Sequence, residues 1–457
     1  MKIFKFTIIT LLLLVVFSNL ISASEIKLPP YQKFSLGTGL TLLVMENKKL
    51  PLVNFRLILK AGSVYDPPGK EGLASLTAAL IRKGTKTKSF EQISEQIEFV
   101  GGSLNSGASA DYAFISGEFL SKDIDLALNL LSDILLNPAF SQQEFEREKG
   151  LTLAGLQQEK DDPSTIATKA FYQFLFENNP YSHPVDGTEA SVKKITRADV
   201  LAFYKNYFSP QNSILTLVGD FSTPTVKQKI EKTLAGWQKS NTNLAKLPAP
   251  TKFKGRKLLI VEKPDVTQTQ IRIGNVSVPR NNPDYFPLIV ANTILGGGFT
   301  SRLMNELRVN QGLTYGVSSR FNMFKETGAY LISTFTKNQT TRKIIDLALA
   351  EVKKFREKGV TQKELQGAKN YLKGLFPLRL ETPEALASQI SDIEFYNLDP
   401  KFVDTYIQKI GAVTLDDIKR VTNKYFDYED VVLVVVTNPK ETQKDLEGLG
   451  KIEMTKP

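Results

Sequence analysis

The sequence predicts an α+β protein built twice: two homologous domains, each a mostly antiparallel sheet with helices packed on one face. Three observations carry this. At 457 residues the chain exceeds one ordinary hydrophobic core. Strand-like and helix-like runs come in clusters, without the strict alternation of a parallel, doubly wound sheet. And a set of short matches recurs in the same order, with offsets near 220 residues.

The first half opens with alternating, strand-like runs at Leu40–Val44 and Val53–Leu59. The turn signal Pro67-Pro68-Gly69 leads into a helix of small and aliphatic residues that stops by Gly84. A second helix covers about Ser89–Val100 and is stopped by Gly101-Gly102. Asp111–Leu120 alternates as a strand. Helices follow at Lys122–Leu136, Gln142–Lys160, Ser164–Glu177 and Arg197–Tyr207, then a strand at Ser213–Val218.

The repeat then becomes visible. Asp125-Leu126-Ala127-Leu128 returns as Asp346-Leu347-Ala348-Leu349. Asp162-Pro163-Ser164-Thr165-Ile166-Ala167 matches Thr382-Pro383-Glu384-Ala385-Leu386-Ala387. Thr196, Asp199, Tyr207 and Phe208 match Thr414, Asp417, Tyr425 and Phe426, and each set precedes an apolar strand. The domains are read as 25–238 and 255–440. The linker is 239–254, polar and carrying Pro248 and Pro250, and 441–457 is a polar, weakly ordered tail.

Residues 1–24 read as a secretory signal peptide. Lys2 and Lys5 precede the apolar run Phe6–Phe17, and Ser22-Ala23-Ser24 offers a cleavage site. The alternative is an uncleaved anchor, but the run is short for a bilayer span of about 20 residues. The expectation is a cleaved leader, no membrane span afterwards, and a periplasmic protein. There is no cysteine, so no disulfide supports the exported chain, which must rest on a large core.

The charge is +10, from 58 Lys and Arg against 48 Asp and Glu, with no basic block. That excludes nucleic acid as the expected partner.

The duplicated halves, the linker and the segment Gly72-Leu73-Ala74-Ser75 through Lys83-Gly84-Thr85 resemble the M16 (insulinase, pitrilysin, mitochondrial processing peptidase) family. The resemblance covers nearly the whole mature chain and is nearest to small bacterial two-domain members. In catalytic members this helix carries His-x-x-Glu-His. Two histidines one helical turn apart hold zinc, and the glutamate activates its water. Here the three positions are Ser75, Ala78 and Ala79. The family's third ligand is a glutamate after a Glu-Arg-Glu-Lys segment. That segment is present as Glu146–Lys149, but the matching stretch is Leu153-Ala154-Gly155-Leu156. The single histidine, His183, lies in a proline-flanked loop, reads as a turn residue, and could not make a three-ligand site alone. No metal and no catalytic residue are expected in this chain. Ser75 as a nucleophile is a weak reading: His183 is the only possible histidine partner, a helix interior is a poor place for one, and no Gly-x-Ser-x-Gly elbow supports it.

A second family element is intact: Gly296-Gly297-Gly298-Phe299-Thr300-Ser301-Arg302-Leu303, then Asn305–Arg308 and Gln311-Gly312-Leu313-Thr314-Tyr315. The resemblance implies that Arg308 and Tyr315 hold the substrate backbone. Arg308 is expected to end a helix capped by Gly312, and Tyr315 to begin a strand. Gly296, Gly297, Gly298 and Arg302 are weaker candidates. The glycines form no phosphate loop, since no Gly-Lys-Ser/Thr follows.

Some bacterial M16 systems divide these elements between two subunits. The expected role is therefore the non-catalytic subunit of a heterodimeric zinc peptidase. Zinc and base would come from a partner carrying His-x-x-Glu-His, and the substrate would be an extended peptide paired at a sheet edge. The alternative is a non-proteolytic peptide-binding or assembly scaffold.

Overall fold

A computed structural model describes residues 27–242 and 244–456; the leader expected at 1–24 lies outside them. Two six-stranded sheets form, one per half. In the first the order is β1 (Gln32–Ser35), β2 (Thr41–Glu46), β6 (Ser213–Gly219), β3 (Leu52–Leu59), β5 (Ala113–Leu120), β4 (Ser103–Ala108). In the second it is β12 (Lys451–Thr455), β7 (Lys257–Glu262), β11 (Val432–Thr437), β8 (Gln268–Ser277), β10 (Gly328–Lys337), β9 (Val317–Met323). Among the described residues only β2–β6, β7–β11 and β7–β12 pair in parallel. Five strands of each sheet correspond in order and direction, as the repeat predicts; the edge strands differ, β1 being N-terminal and antiparallel to β2, and β12 C-terminal and parallel to β7.

Each sheet buries one face against its own helices. In the first half Phe55, Leu57 and Ile115 meet Leu76 and Leu80 of helix Leu73–Leu80 and Leu131 and Ile134 of helix Ile124–Leu136 in one core. In the second, Ile271, Ile273 and Leu433 meet Ile345 and Val352 of helix Thr341–Lys358.

The second face of each sheet is not open, and here the structure goes beyond helices on one face. Helix Pro163–Phe176, from the first half, lies over the second sheet, with Ala167, Ala170 and Phe171 against Leu331, Val432, Val434 and Val436. Helix Pro383–Phe395, from the second half, lies over the first sheet, with Leu386, Ala387 and Ile390 against Leu43, Met45, Ile58, Ile214 and Val218. The matched Asp162-Pro163 and Thr382-Pro383 segments are the N-termini of these exchanged helices. Asp162 and Thr382 cap them through Ser164 N and Ala385 N. Because β6 and β11 are covered on both faces, every residue in them is buried. That is why they read as continuous apolar runs and not as alternating ones.

The tail departs from the expectation of a weakly ordered segment. It forms helix Pro439–Leu446 and the edge strand β12, parallel to β7. Leu446 and Leu449 are fully buried and anchor it. Two apolar residues among charged ones give too weak a periodic signal to mark the strand. No helix among the described residues is long and apolar enough to cross a membrane.

Candidate functional site

The first candidate region is the helix Leu73–Leu80. Its N-terminus is built by Asp66, whose Oδ2 accepts from Gly72 N and Oδ1 from Ala74 N, both at 2.8 Å. Burial pushes the Asp66 carboxyl up to about 8, against the pull of those N–H groups. Gly72 has φ +99°, and a Cβ there would stand 2.7 Å from Asp186 O. Only glycine fits this approach of the loop to the helix start.

Ser75 Oγ donates to Asp186 Oδ1 at 2.6 Å. Its hydroxyl is thus bound to Asp186 and not to His183. Ala78 is fully buried, with Ala79 beside it half-buried. One turn on, Lys83 Nζ lies 2.9 Å from Glu148 Oε1, and Arg147 Nη2 lies 3.1 Å from the same oxygen. Both cations stack on the Phe90 ring. Glu148 sits on helix Gln142–Glu159, the helix that also carries Leu153–Leu156. Gly155 is exposed there, and an added Cβ would meet nothing.

A zinc ion is the group the family implies here, and these residues do not fit it. A hydroxyl engaged by a carboxylate and two alanines offer no imidazole or free carboxylate set. The nearby acid, Glu148, is neutralised by Lys83 and Arg147. Among the described residues no group of three or more His, Cys, Asp or Glu is placed to hold a metal. His183 is half-buried, its Nδ1 is buried without a partner among the described residues, and desolvation lowers its pKa.

The second region follows helix Tyr285–Asn292. The triple glycine closes a wide turn at Thr293–Gly297. A Cβ on Gly296 would stand 2.4 Å from Ser319 Oγ and 2.8 Å from Ser319 N, so this glycine lets the turn press on β9. Gly297 approaches the Asn292 amide, while a Cβ on Gly298 would meet only Thr293 O, at an ordinary 3.8 Å. Asn292 and Ser319 exchange two hydrogen bonds that pin the same contact, at 2.9 and 2.8 Å.

Arg308 lies in the wide helical segment Met304–Asn310, where Gln311 N bonds back to Glu306 O at 3.0 Å. Gly312, at φ +61°, ends it and donates to Arg308 O. The Arg308 guanidinium has no hydrogen bond or ion pair among the described residues. Its one contact is the Phe299 ring, 4.8 Å away, and Phe299 is itself 71% exposed. Tyr315 is 81% exposed. It precedes β9, which begins at Val317, so it stands outside the sheet instead of starting the strand. The result is a half-buried guanidinium without a protein hydrogen-bond partner among the described residues, near an exposed phenol.

Arg302 must be reassigned. Nε donates to Glu364 Oε1 at 2.6 Å, and Nη2 to Glu364 Oε2 and Gly359 O, both at 2.9 Å. It also stacks on Phe355. This cation ties its segment to helix Gln362–Leu375 through Nε and Nη2, which leaves only Nη1 for any other partner.

No hydrogen bond, ion pair or ring contact among the described residues joins the Arg308–Tyr315 segment to the helix of Ser75. Reading the residues missed Asp66 as cap, Asp186 as the partner of Ser75, and Phe299 as the platform of Arg308. Lys83, four residues after Ala79, was a visible signal of a cation facing the vacated positions.

Comparison with known proteins agrees with this geometry. Residues 42–189 match the family model described as insulinase (peptidase family M16), and residues 194–372 the one described as peptidase M16 inactive domain. A Helicobacter pylori protein named non-peptidase homolog YmxG is 30% identical over 406 residues, covering 87% of this chain and 91% of that one. A Bacillus subtilis protein named uncharacterized zinc protease YmxG is 23% identical over 408 residues, covering 89% and 98%. The crystal structure of a peptidase M16 inactive domain from Pseudomonas fluorescens is similar at a TM-score of 0.84 and 30% identity, over 89% of this chain and 97% of that one.

Proposed function

The chain belongs to the M16 peptidase family as an inactive homologue, and from that premise we propose that it is the substrate-holding subunit of a heterodimeric M16 zinc peptidase. The observation that carries the proposal is the pairing of a dismantled metal site with a half-buried Arg308 that has no hydrogen bond or ion pair among the described residues and an exposed Tyr315. A guanidinium without a protein partner is free to grip peptide carbonyls or a carboxylate, and the phenol can donate to a second carbonyl. Each such contact contributes about 0.5–3 kcal/mol, enough to position a peptide and not to cleave it.

The partner would carry His-x-x-Glu-His and so supply zinc, base and attacking water. The extended substrate would lie between the subunits, paired at a sheet edge. Export through the leader would place this chain in the periplasm, and the partner would have to be exported there as well.

Reconstitution tests this. The mature chain is mixed with an M16 subunit that carries the zinc motif, and hydrolysis of an unfolded polypeptide is followed. Activity should appear only on mixing and fall at least about ten-fold with Arg308→Ala/Tyr315→Ala, the loss of two such contacts. Unchanged rates in the double variant would remove the substrate role. Peptide binding without hydrolysis in any mixture would favour a scaffold.

A further inference from the structure

The exchanged helices cover the two sheets in the same way, but one cover leaves a cavity. Arg56 on β3 and Arg272 on β8 occupy equivalent places. Each lies on the fourth strand of its sheet, opposite Thr216 in one half and Val434 in the other. Arg272 is 4% exposed and well satisfied. Its Nε donates to Thr168 Oγ1 at 3.1 Å, Nη1 to Ile271 O at 3.0 Å, and Nη2 to Ser164 O and Oγ at 2.9 and 2.7 Å. In the other exchanged helix, Glu384 and Ser388 stand where Ser164 and Thr168 do.

Arg56 therefore lacks those acceptors. Among the described residues it makes one hydrogen bond, from Nη2 to Tyr112 Oη at 3.2 Å, lies over the Tyr112 and Phe114 rings at 5.8 and 5.3 Å, and shares its charge with the half-buried Asp392 carboxyl, but its buried Nε has no hydrogen-bond partner. Next to it Asn54, 3% exposed, has an amide nitrogen without a partner. Beside them lies a cavity of about 160 Å³, bounded by Asn54, Arg56, Asn105, Glu118, Glu384 and Ser388. One water needs only ~10–15 Å³. Glu118 and Glu384 are exposed at its rim, and neither carboxylate has a hydrogen bond or ion pair among the described residues.

The depth of the cavity thus presents unsatisfied donors, and its rim presents free carboxylates. Buried donors call for an acceptor, and the rim acids for a cation. We propose that this cavity binds a free α-amino acid with a small side chain. The ligand carboxylate faces Arg56 and Asn54, and its ammonium faces Glu118 and Glu384. The cavity's volume and its short Ala387 and Ser388 side chains admit a small side chain beside it. The site is made from the first half's sheet and the second half's helix, so occupancy joins the two domains.

The test titrates the full mature chain with glycine, acetate, methylamine and glycylglycine, read by calorimetry and by the unfolding temperature. Glycine should bind one to one and raise the unfolding temperature. Acetate and methylamine, with half the contacts each, should bind at least about ten-fold more weakly. Glycylglycine should also be weaker, since its charges are too far apart. Arg56→Gln should abolish glycine binding. Glu384→Gln, at an exposed position that leaves folding intact, should weaken it about ten-fold. No glycine binding, unchanged binding in Glu384→Gln, or equal affinity for acetate or glycylglycine would each overturn the assignment.

Discussion

The Asp111 carboxylate accepts the backbone N–H of Lys325 at 3.0 Å, and this one bond ties the β4–β5 turn of the first half to the β9–β10 turn of the second. Its other oxygen accepts the Tyr181 hydroxyl at 2.5 Å. Both groups are buried or nearly so. Asp111→Ala should therefore leave two donors unpaired and cost about 2–4 kcal/mol of stability, measured by urea unfolding.

The same carboxyl gives a pH dependence. Burial raises the Asp111 pKa, outweighing its hydrogen bonds to Tyr181 and Lys325. A raised carboxyl pKa contributes stability that is fully present below the unfolded value and is lost as pH rises through the folded one. Unfolding midpoints of the wild type should thus fall relative to Asp111→Asn as pH rises from the ordinary carboxylate range. Parallel curves for the two proteins would refute this role.

Arg302 predicts a structural phenotype without a binding one. Burial acts to raise the Glu364 carboxyl, but the Arg302 fork and the Thr361 bonds outweigh it and hold it at about 2. The resulting stability is present above the unfolded carboxylate value and is lost as pH falls toward 2. Arg302→Ala should cost about 1–3 kcal/mol at neutral pH and much less near pH 2. Peptide affinity in the reconstituted complex should be unaffected.

Metal binding can be used to probe the dismantled site. Ser75→His/Ala78→Glu/Ala79→His supplies two imidazoles but no third protein ligand. Gly155 lies seven residues after Glu148, on the same helix face, with open space for a side chain. Adding Gly155→Glu should raise zinc affinity at least about ten-fold over the triple variant, read by metal analysis after dialysis. Equal zinc content in both would mean that helix Gln142–Glu159 does not face the site.

The exchanged helices make the two halves one cooperative unit. Ile390→Ala removes apolar contact on the first sheet although the residue belongs to the second half. It should cost about 2–4 kcal/mol and shift one single transition, seen alike by tryptophan fluorescence from Trp237 and by circular dichroism. Two separate transitions would show that the halves unfold independently.

Much of this was legible because it is local. Caps, turns and periodicity mark helices such as Arg197–Tyr207, whose Thr196 and Asp199 form a capping box. The repeat survives because its matches sit at such local signals. What was not legible is non-local. Asp162-Pro163 announces a helix, but nothing in it says that Phe171 will rest on the opposite sheet. Leu446 and Leu449 do not announce a sixth strand. At the candidate site, the motif frame placed Arg308 and Tyr315 in the chain. It could not tell a free guanidinium, as in Arg308, from a committed one, as in Arg302, because Glu364 is distant in sequence.

The exchange also dictates an order of synthesis. The first sheet has all its strands once the chain reaches Gly219, but the helix that shields its outer face begins only at Pro383. A growing or translocating chain must carry Leu43, Ile58, Ile214 and Val218 bare until nearly the whole polypeptide has emerged. Such a surface is open to misassembly for that interval. Biogenesis of this protein should lean on a holding chaperone at that stage, and a nonsense codon before Pro383 should yield aggregates and not a stable half.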